Sequence, residues 1–357
     1  MTDGDQAGDE DASGNGDGGG GSRTGSGPGS GGGRGVGGLL VGVFWNRREH
    51  RLRFPWRLAV AAGLLGLLVL MFGSVAVVAL GDAWLGGPGG QLLSTLAVVV
   101  ALPVTSYFLG RRPIRALGLD LDRQWWRDAG FGLALGVVLP TLLFGVGIAA
   151  GWVAVTDTFV TTPDAFLGFG DASVPVALAA ALVFFLGVAI SEELLVRGYL
   201  LTNLAEALAG FERVGVRHAI AVATLATAGL FGVLHAGNPS ATLLSVTNIT
   251  LFGVLLGLCY VWTGRLGIAV GVHLTWNAVV GAVYGFPVSG ITVGVAVLET
   301  ETTGPALLTG GSFGPEGGLL VLLALVVGLG LTAWWVRREY GDRRLRETVA
   351  VPALRGE

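Results

Sequence analysis

Charge and cysteine are both scarce in this sequence. Only 13% of its 357 residues are charged, whereas 52% are hydrophobic; a soluble domain carries about 25% charged residues. A single cysteine, Cys259, lies inside an apolar run, which excludes a disulfide framework and a cysteine-based metal site. Lysine is absent and the net charge is only −3. No basic stripe could neutralise nucleic-acid phosphates, so a nucleic-acid partner is excluded.

The first 38 residues form a glycine-rich tail that is acidic at its start. Such a composition cannot bury enough apolar surface to offset the entropy lost on ordering, so residues 1–38 are predicted to be disordered. The tail lacks the basic region and the apolar region of a signal peptide. We therefore expect the first membrane-spanning helix to act as the targeting signal.

Long apolar runs fill most of the remaining chain. They predict an all-α fold, a polytopic transmembrane bundle of about eight spans in contact with the lipid bilayer, because a helix of about 20 residues crosses the hydrocarbon layer. Helices are required because backbone groups in lipid must be paired within their own segment. The predicted spans are 58–80, 91–109, 129–153, 174 to about 200, 218–237, 241–262, 266–286 and 318–336.

Arginine is confined to alternate connections between these spans. Arginines precede the first span, join the second to the third and follow the last, and Arg213, Arg217 and Arg265 lie in two further connections. The intervening connections contain aspartate and glutamate but no arginine. The positive-inside rule then predicts that both termini are cytoplasmic, in a plasma or inner membrane.

Ionisable side chains are rare inside the predicted spans. Those present are Glu192, Glu193 and Arg197 on the fourth span, His235 on the fifth and His273 on the seventh. A charged group at the bilayer centre costs about 2.5–3.5 kcal/mol, so such residues mark a functional site. We expect them to converge in one polar cavity.

The spacing of these groups predicts different roles for the two carboxylates. Glu193 and Arg197 are four residues apart, so on a helix they share a face and can form an ion pair. Glu192 is rotated by about 100° from Glu193 and has no such partner. A free carboxylate in an apolar environment is a plausible general base.

The two histidine segments add hydrogen-bonding groups. Phe231 lies one turn before His235, and His273 and Asn277 are four residues apart on one helix face. A carboxylate with a histidine can activate a water molecule, and a histidine with an asparagine can stabilise a developing oxyanion. Together they form a minimal set for hydrolysing a peptide bond within a membrane.

The expected depths of these residues in the membrane do not agree. At 1.5 Å per residue from the nearest basic connection, Glu192 and His273 lie about 10 Å from the cytoplasmic face and His235 roughly 25 Å from it. A tilted fifth span, or a fifth span whose start lies in the cytoplasm rather than in the membrane, would bring these groups to one level.

Three motifs carry a resemblance to a known family. They are Glu192-Glu193-Leu-Leu-Val-Arg197, Phe231-Gly-Val-Leu-His235 and His273-Leu-Thr-Trp-Asn277, each on its own apolar run. In this order they resemble the CPBP family of intramembrane proteases, which includes the CAAX prenyl endopeptidase.

The resemblance implies a glutamate-dependent endopeptidase that acts on a membrane-associated protein or peptide. Glu192 with His235 would activate water, and His273 with Asn277 would stabilise the oxyanion. Glu193 and Arg197 would be structural or orienting, and Phe231 would pack the cavity wall. The site would open toward the cytoplasmic leaflet, and no cofactor would be required.

The resemblance also suggests how the chain is organised. After the tail, residues 39–173 form three N-terminal membrane helices, and residues 174–286 form the catalytic membrane core of four spans. Residues 287–357 contain an outer loop, the last span and a basic cytoplasmic tail.

Three other functions remain open from the sequence. Glu192, His235 and His273 are a legitimate ligand set for zinc, which would make the chain a zinc-dependent intramembrane protease. The same polar groups could serve an ion or proton relay, although no repeat symmetry is visible. A non-catalytic membrane scaffold is the third alternative.

Overall fold

The computed structural model describes residues 42–46, 49–81, 85, 87–162, 165–167, 172–351 and 353–355. The predicted disordered tail, residues 1–38, lies outside the described residues. The chain divides into two units, Met1–Gly42 and Val43–Glu357. All the elements named below belong to the second unit.

Helices dominate the second unit and confirm the predicted all-α membrane bundle. Seven of the described helices are long and apolar enough to cross a membrane, and an eighth apolar helix, Gly267–Val283, is shorter. The helices are α1 (Phe54–Leu80), α2 (Gly87–Phe108), α3 (Arg123–Ala149), α4 (Val174–Ala209), α5 (Val216–Leu234), α6 (Leu243–Thr263), α7 (Gly267–Val283) and α8 (Val321–Tyr340).

Local sequence signals set several helix boundaries. Helix α1 begins after an extended Arg53 and carries a proline in its first turn. The Asp122 side chain caps α3 by accepting from the backbone N–H of Trp125. A capping box between Thr242 and Ser245 starts α6.

Helix α4 is longer than its sequence predicts. It was expected to end near residue 200, but it continues to Ala209. Its first part, Val174–Glu193, is α-helical, Leu194–Leu201 is π-helical, and Thr202–Ala209 is α-helical again. The run 201–209 contains neither glycine nor proline, and the helix ends at Gly210.

Two small antiparallel sheets were not predicted. Strand β1 (Trp45–Asn46) pairs with β2 (Arg51–Leu52) before α1, and β3 (Val153–Thr161) pairs with β4 (Val295–Thr302). Strand β3 is rich in valine and threonine, which favour strands. The longer sheet joins the α3–α4 connection to the α7–α8 connection.

Small residues bring α3 and α7 into backbone contact. Both helices carry glycines four residues apart, Gly132 and Gly136 on α3 and Gly267 and Gly271 on α7. A Cβ atom added at Gly136 would lie 2.2 Å from the hydroxyl of Thr275 on α7. Such spacing is typical of close helix packing in membranes, and it fixes the helix that bears His273.

One end of the bundle, which we call the arginine end, holds the starts of α1, α3, α5 and α7 and the ends of the other helices. Arg265, before α7, bonds to Asp122, before α3, at 2.9 Å. Arg217 at the start of α5 contacts Glu347 beyond α8 at 3.3 Å. These ion pairs bring the arginine-bearing connections together.

Glu206, near the end of α4, is the centre of a buried cluster at the arginine end. It forms ion pairs with Arg51 and Arg57 at 2.7 Å each and with Arg112. All three arginines are buried. Burial lowers the pKa of Arg112, and the Glu206 carboxylate opposes that effect.

The opposite end, which we call the sheet end, contains β3 and β4 and the connections without arginine. The backbone N–H of Thr303, after β4, donates to the carbonyl of Trp152, before β3. Asn238, after α5, donates to the carbonyl of Ser289, after α7, at 3.0 Å. The ends of α3, α5 and α7 therefore meet here.

Candidate active site

The middle of α4 positions two carboxylates differently. Glu193 is buried, and its Oε1 accepts a hydrogen bond of 2.7 Å from Arg197 Nη1. Arg197 is buried too and donates from Nη2 to the carbonyl of Gly253 on α6 at 3.2 Å. The pair lies where α4 becomes π-helical, and π-turns are frequent at functional sites. A cation and a neighbouring helix therefore hold the Glu193 carboxylate in place.

Glu192 has much freer surroundings. Its side chain is 36% exposed, and His273 Nε2 lies 3.9 Å from its Oε2. That distance is too long for a hydrogen bond. Within the described residues, Glu192 Oε2 has no hydrogen-bond partner. This carboxylate is available to accept a proton.

His273 on α7 lies between the two carboxylates. Its Nδ1 is 2.9 Å from Glu193 Oε1, and its Nε2 faces Glu192. A carboxylate paired with Arg197 accepts hydrogen bonds only, so His273 Nδ1 carries the hydrogen. Glu193 therefore fixes the orientation of the imidazole as well as pairing with the arginine.

Phe231 and His235 form the opposite wall. The Arg197 guanidinium carbon lies 4.5 Å from the Phe231 ring centroid, and the ring meets His273 edge-on at 6.2 Å. Helix α5 ends at His235, whose Nδ1 is 2.8 Å from the Phe231 carbonyl. A carbonyl can only accept, so Nδ1 carries the hydrogen and a neutral His235 offers Nε2 as an acceptor.

These side chains share one cavity of about 480 Å³. Glu192, His235, His273 and Asn277 all line it. Most of the remaining wall is apolar and includes the rings of Phe166, Phe184, Phe185, Phe231 and Phe252. The polar residues that the sequence singled out thus converge on a largely apolar chamber, a form typical of ligand sites.

A further carboxylate, Glu316, lies in the same cavity. It was not identified from the sequence as a site residue and was assigned to an outer loop. Its Oε1 accepts from Trp276 Nε1 at 2.8 Å. Its Oε2 accepts from the Ser289 backbone N–H at 2.6 Å and from the Ser289 hydroxyl at 2.7 Å. Trp276 immediately precedes Asn277, so Glu316 ties the α7 segment of the site to the connection that follows it.

Two asparagines extend this network. Asn248 on α6, which the sequence left without a role, donates to the carbonyls of Glu316 and Gly318 at 2.9 Å each. Asn238, which lies three residues after His235, donates to the Ser289 carbonyl. No spacing pattern in the sequence pointed to Glu316 or Ser289.

Helix boundaries at the arginine end give different distances for side chains that lie together. Because α4 ends at Ala209, Glu192 lies about 26 Å from the arginine end of its helix. His235 lies about 28 Å from the start of α5 at Val216. His273, which lies 3.9 Å from Glu192, is only about 9 Å from the start of α7. Helices α4 and α5 therefore extend past the start of α7 at this end, and the depth of about 10 Å for Glu192 stays a prediction.

The zinc alternative can be compared with this geometry. Among the residues that the structure describes, no group of three or more His, Cys, Asp and Glu side chains is arranged to hold a metal ion. Glu192, His235 and His273 therefore do not form a ligand set as they stand, although Glu193 orients His273 as an outer carboxylate does at metal sites.

The bundle and its cavity define a multi-pass membrane protein with a buried polar site. Residues 174–279 match a family model described as Rce1-like, type II CAAX prenyl endopeptidase. The match contains all three motifs and confirms the resemblance expected from them. No curated protein and no solved structure matches the chain significantly. Glu316 and Ser289 lie outside the matched residues.

Proposed function

We propose that this protein is an intramembrane endopeptidase that hydrolyses a peptide bond of a membrane-associated protein or peptide with a water activated by Glu192 and His235. The convergence of Glu192, His235, His273 and Asn277 on one cavity carries this proposal. The family match supports an endopeptidase, and the free Glu192 beside the paired Glu193 supports glutamate-type catalysis.

In the first step, Glu192 takes a proton from water while the neutral His235 accepts a hydrogen bond from that water at Nε2. The oxygen of the water attacks the carbonyl carbon of the scissile peptide bond, and the carbonyl oxygen becomes an oxyanion. A positioned general base contributes typically 10²–10⁴-fold to the rate.

His273 and Asn277 stabilise the oxyanion. Asn277 donates from its amide, and His273 acts as an imidazolium that donates to Glu193 from Nδ1 and to the oxyanion from Nε2. The carbon–nitrogen bond then breaks, and Glu192 returns its proton to the leaving amine. Preorganised donors of this kind are worth most in a site that excludes bulk water.

The test is the cleavage of a panel of quenched, membrane-partitioning peptides by purified protein. Wild type, Glu192→Gln and Glu212→Gln are compared with and without a chelator. Glu212 is exposed and lies outside the cavity, so it is the matched control. We expect cleavage by wild type and Glu212→Gln, loss in Glu192→Gln, and no effect of the chelator.

The other outcomes favour the alternatives. Loss of cleavage with the chelator would indicate a metal-dependent protease. Full activity of Glu192→Gln would remove Glu192 from the mechanism. A wild type that cleaves no peptide of the panel would favour a scaffold or a relay.

The orientation of the chain is part of the same proposal. We place both termini on the cytoplasmic side of a plasma or inner membrane, because the sheet-end connections contain no arginine or lysine. This assignment rests on arginine placement and not on the family match.

A further inference from the structure

The candidate cavity occupies only one half of the bundle. Its partly exposed polar residues include Gln91 at the start of α2, Asn238 after α5, Ser289 after α7 and Glu316 before α8. Each of these positions belongs to the sheet end. The connections at the arginine end contribute none of the cavity lining among the described residues.

The other half of the bundle is closed by packed side chains. Beyond Glu193 toward the arginine end, Leu194, Tyr199 and Leu201 of α4 are almost fully buried. They pack in one core cluster with Ile220 of α5 and Tyr260 of α6. A packed core has few voids larger than a water molecule, so a peptide cannot reach Glu192 through this half.

The arginine end is also the end that the positive-inside rule assigns to the cytoplasm. Apart from Arg197, every arginine in the part of the chain that the structure describes lies at or near this end, and the sheet-end connections have none in the sequence. Lysine and arginine in short connections set orientation, whereas acidic residues contribute little. The cavity and the cytoplasm are therefore on opposite sides.

We infer that the site opens to the non-cytoplasmic side of the membrane and takes peptide segments presented there. This inference rests on the proposed function for its substrate class and on the fold for its direction. It differs from the cytoplasmic opening that the family resemblance implies. The substrates are then membrane-anchored or exported peptides whose scissile bond lies near the outer leaflet, with apolar side chains that fit the aromatic wall.

Cysteine labelling tests the direction without any assay of activity. Cys259 is the only cysteine and is buried, so Cys259→Ala provides the background. Single cysteines are introduced in this background at Thr303, which is exposed at the sheet end, at Thr348, which is exposed at the arginine end, and at Ile291, which lines the cavity. Each variant is treated with a membrane-impermeant maleimide in intact cells and after permeabilisation.

We expect Thr303→Cys and Ile291→Cys to be labelled in intact cells, and Thr348→Cys only after permeabilisation. The reverse pattern would overturn the inference and place the cavity on the cytoplasmic side. Labelling of Thr303→Cys but not of Ile291→Cys, even after permeabilisation, would overturn the open mouth while keeping the orientation.

An impermeant quenched peptide supplies the second readout. Cells expressing wild type should cleave it without permeabilisation, and cells expressing Glu192→Gln should not. Cleavage only after permeabilisation would overturn the inference. If purified wild type cleaves nothing in detergent, the protease proposal fails, whereas the labelling pattern still decides the direction of the cavity.

Discussion

The two glutamate clusters of α4, one around Glu206 and one around Glu192 and Glu193, differ in how much positive charge surrounds the carboxylates. Glu206 is paired with Arg51, Arg57 and Arg112, and Arg51 also pairs with Glu49, so three arginines face two carboxylates. Such a cluster holds the starts and ends of several helices together. Its charge is committed to structure, and nothing in it is free to exchange protons with a substrate.

The cluster in the middle of α4 has the opposite balance. Arg197 is the one arginine near the two adjacent carboxylates, and it pairs with Glu193. Among the described residues, Glu192 Oε2 has no hydrogen-bond partner, and His273 Nε2 lies 3.9 Å from it. One helix therefore carries an excess of cations in the cluster around Glu206 and a deficit of cations at the candidate site.

The sharpest test of this contrast compares Glu192→Gln with Glu206→Gln. Removing a general base should lower the cleavage rate by about 10²–10⁴-fold, with little effect on thermal unfolding in detergent. Glu206→Gln should lower the unfolding temperature, because it leaves the buried Arg57 and Arg112 without an anion and Arg51 with Glu49 alone, while folded molecules keep their cleavage rate. Equal effects of both variants on activity would contradict the contrast.

Substitutions of the two histidines should also differ in their effects on stability. His235→Ala and His273→Ala should both abolish measurable cleavage, since each removes a group from the reacting atoms. Only His273→Ala removes a hydrogen bond to the buried Glu193, so it should also lower the unfolding temperature. Retention of full activity by either variant would remove that histidine from the mechanism.

Breaking the central ion pair should affect stability most directly. Glu193→Ala leaves the Arg197 guanidinium buried without its carboxylate, and losing one partner of a buried pair costs about 3–5 kcal/mol. We expect a lower yield of folded protein in membranes. The double variant Glu193→Ala/Arg197→Met should recover part of that yield, because no unpaired charge remains. Failure of the double variant to recover would argue against the pair as the cause.

A smaller effect on activity is expected at Glu316, which lies outside the residues that match the family model. In Glu316→Gln the amide nitrogen cannot accept from Trp276 or from Ser289, so α7 loses part of its anchorage. Small misplacements in an active site can cost on the order of 10²-fold, and we expect a fall of about tenfold in kcat with KM little changed. Glu301→Gln, exposed on β4, is the control. A loss explained entirely by unfolded protein would contradict a positioning role.

The smallest effect is expected at Asp122, outside the membrane. The hydrogen bond from the backbone N–H of Trp125 lowers the pKa of Asp122, desolvation opposes this effect, and Arg265 lowers the pKa further. A carboxyl group with a lowered pKa stabilises the fold above its ordinary pKa, and that stabilisation is lost as the pH falls through the lowered value. Asp122→Asn should therefore be slightly less stable than wild type at pH 7, and the difference should vanish in acid. A difference that does not change with pH would exclude the carboxylate charge as its cause.

Much of the fold follows from composition and motif order. Apolar runs predicted the membrane helices because lipid forces backbone groups to pair within a helix. The four-residue spacing predicted a contact between Glu193 and Arg197, and these side chains lie 2.7 Å apart. The convergence of three helices on one cavity was expected because isolated charges are costly in lipid.

Other features depend on contacts between residues far apart in the chain. Glu316 enters the cavity because Gly310, Gly311 and Gly314 take positive φ values of 90°, 53° and 92°. Ser289 receives it with a φ of 48°. Such turns leave no periodic pattern in the sequence. The extension of α4 to Ala209 was missed because polar residues near its end suggested a connection.

The close packing of α3 against α7 has a consequence for the biogenesis of the protein. Helix α7 spans about 26 Å from Gly267 to Val283, less than the roughly 30 Å of a typical hydrocarbon layer. It depends on the glycine faces of a helix synthesised well before it. Translation proceeds from the N-terminus, so Glu192 and His235 emerge from the ribosome before His273. On the proposed mechanism, the nascent chain therefore lacks its full set of reacting groups until α7 docks, and cleavage would begin only when assembly ends.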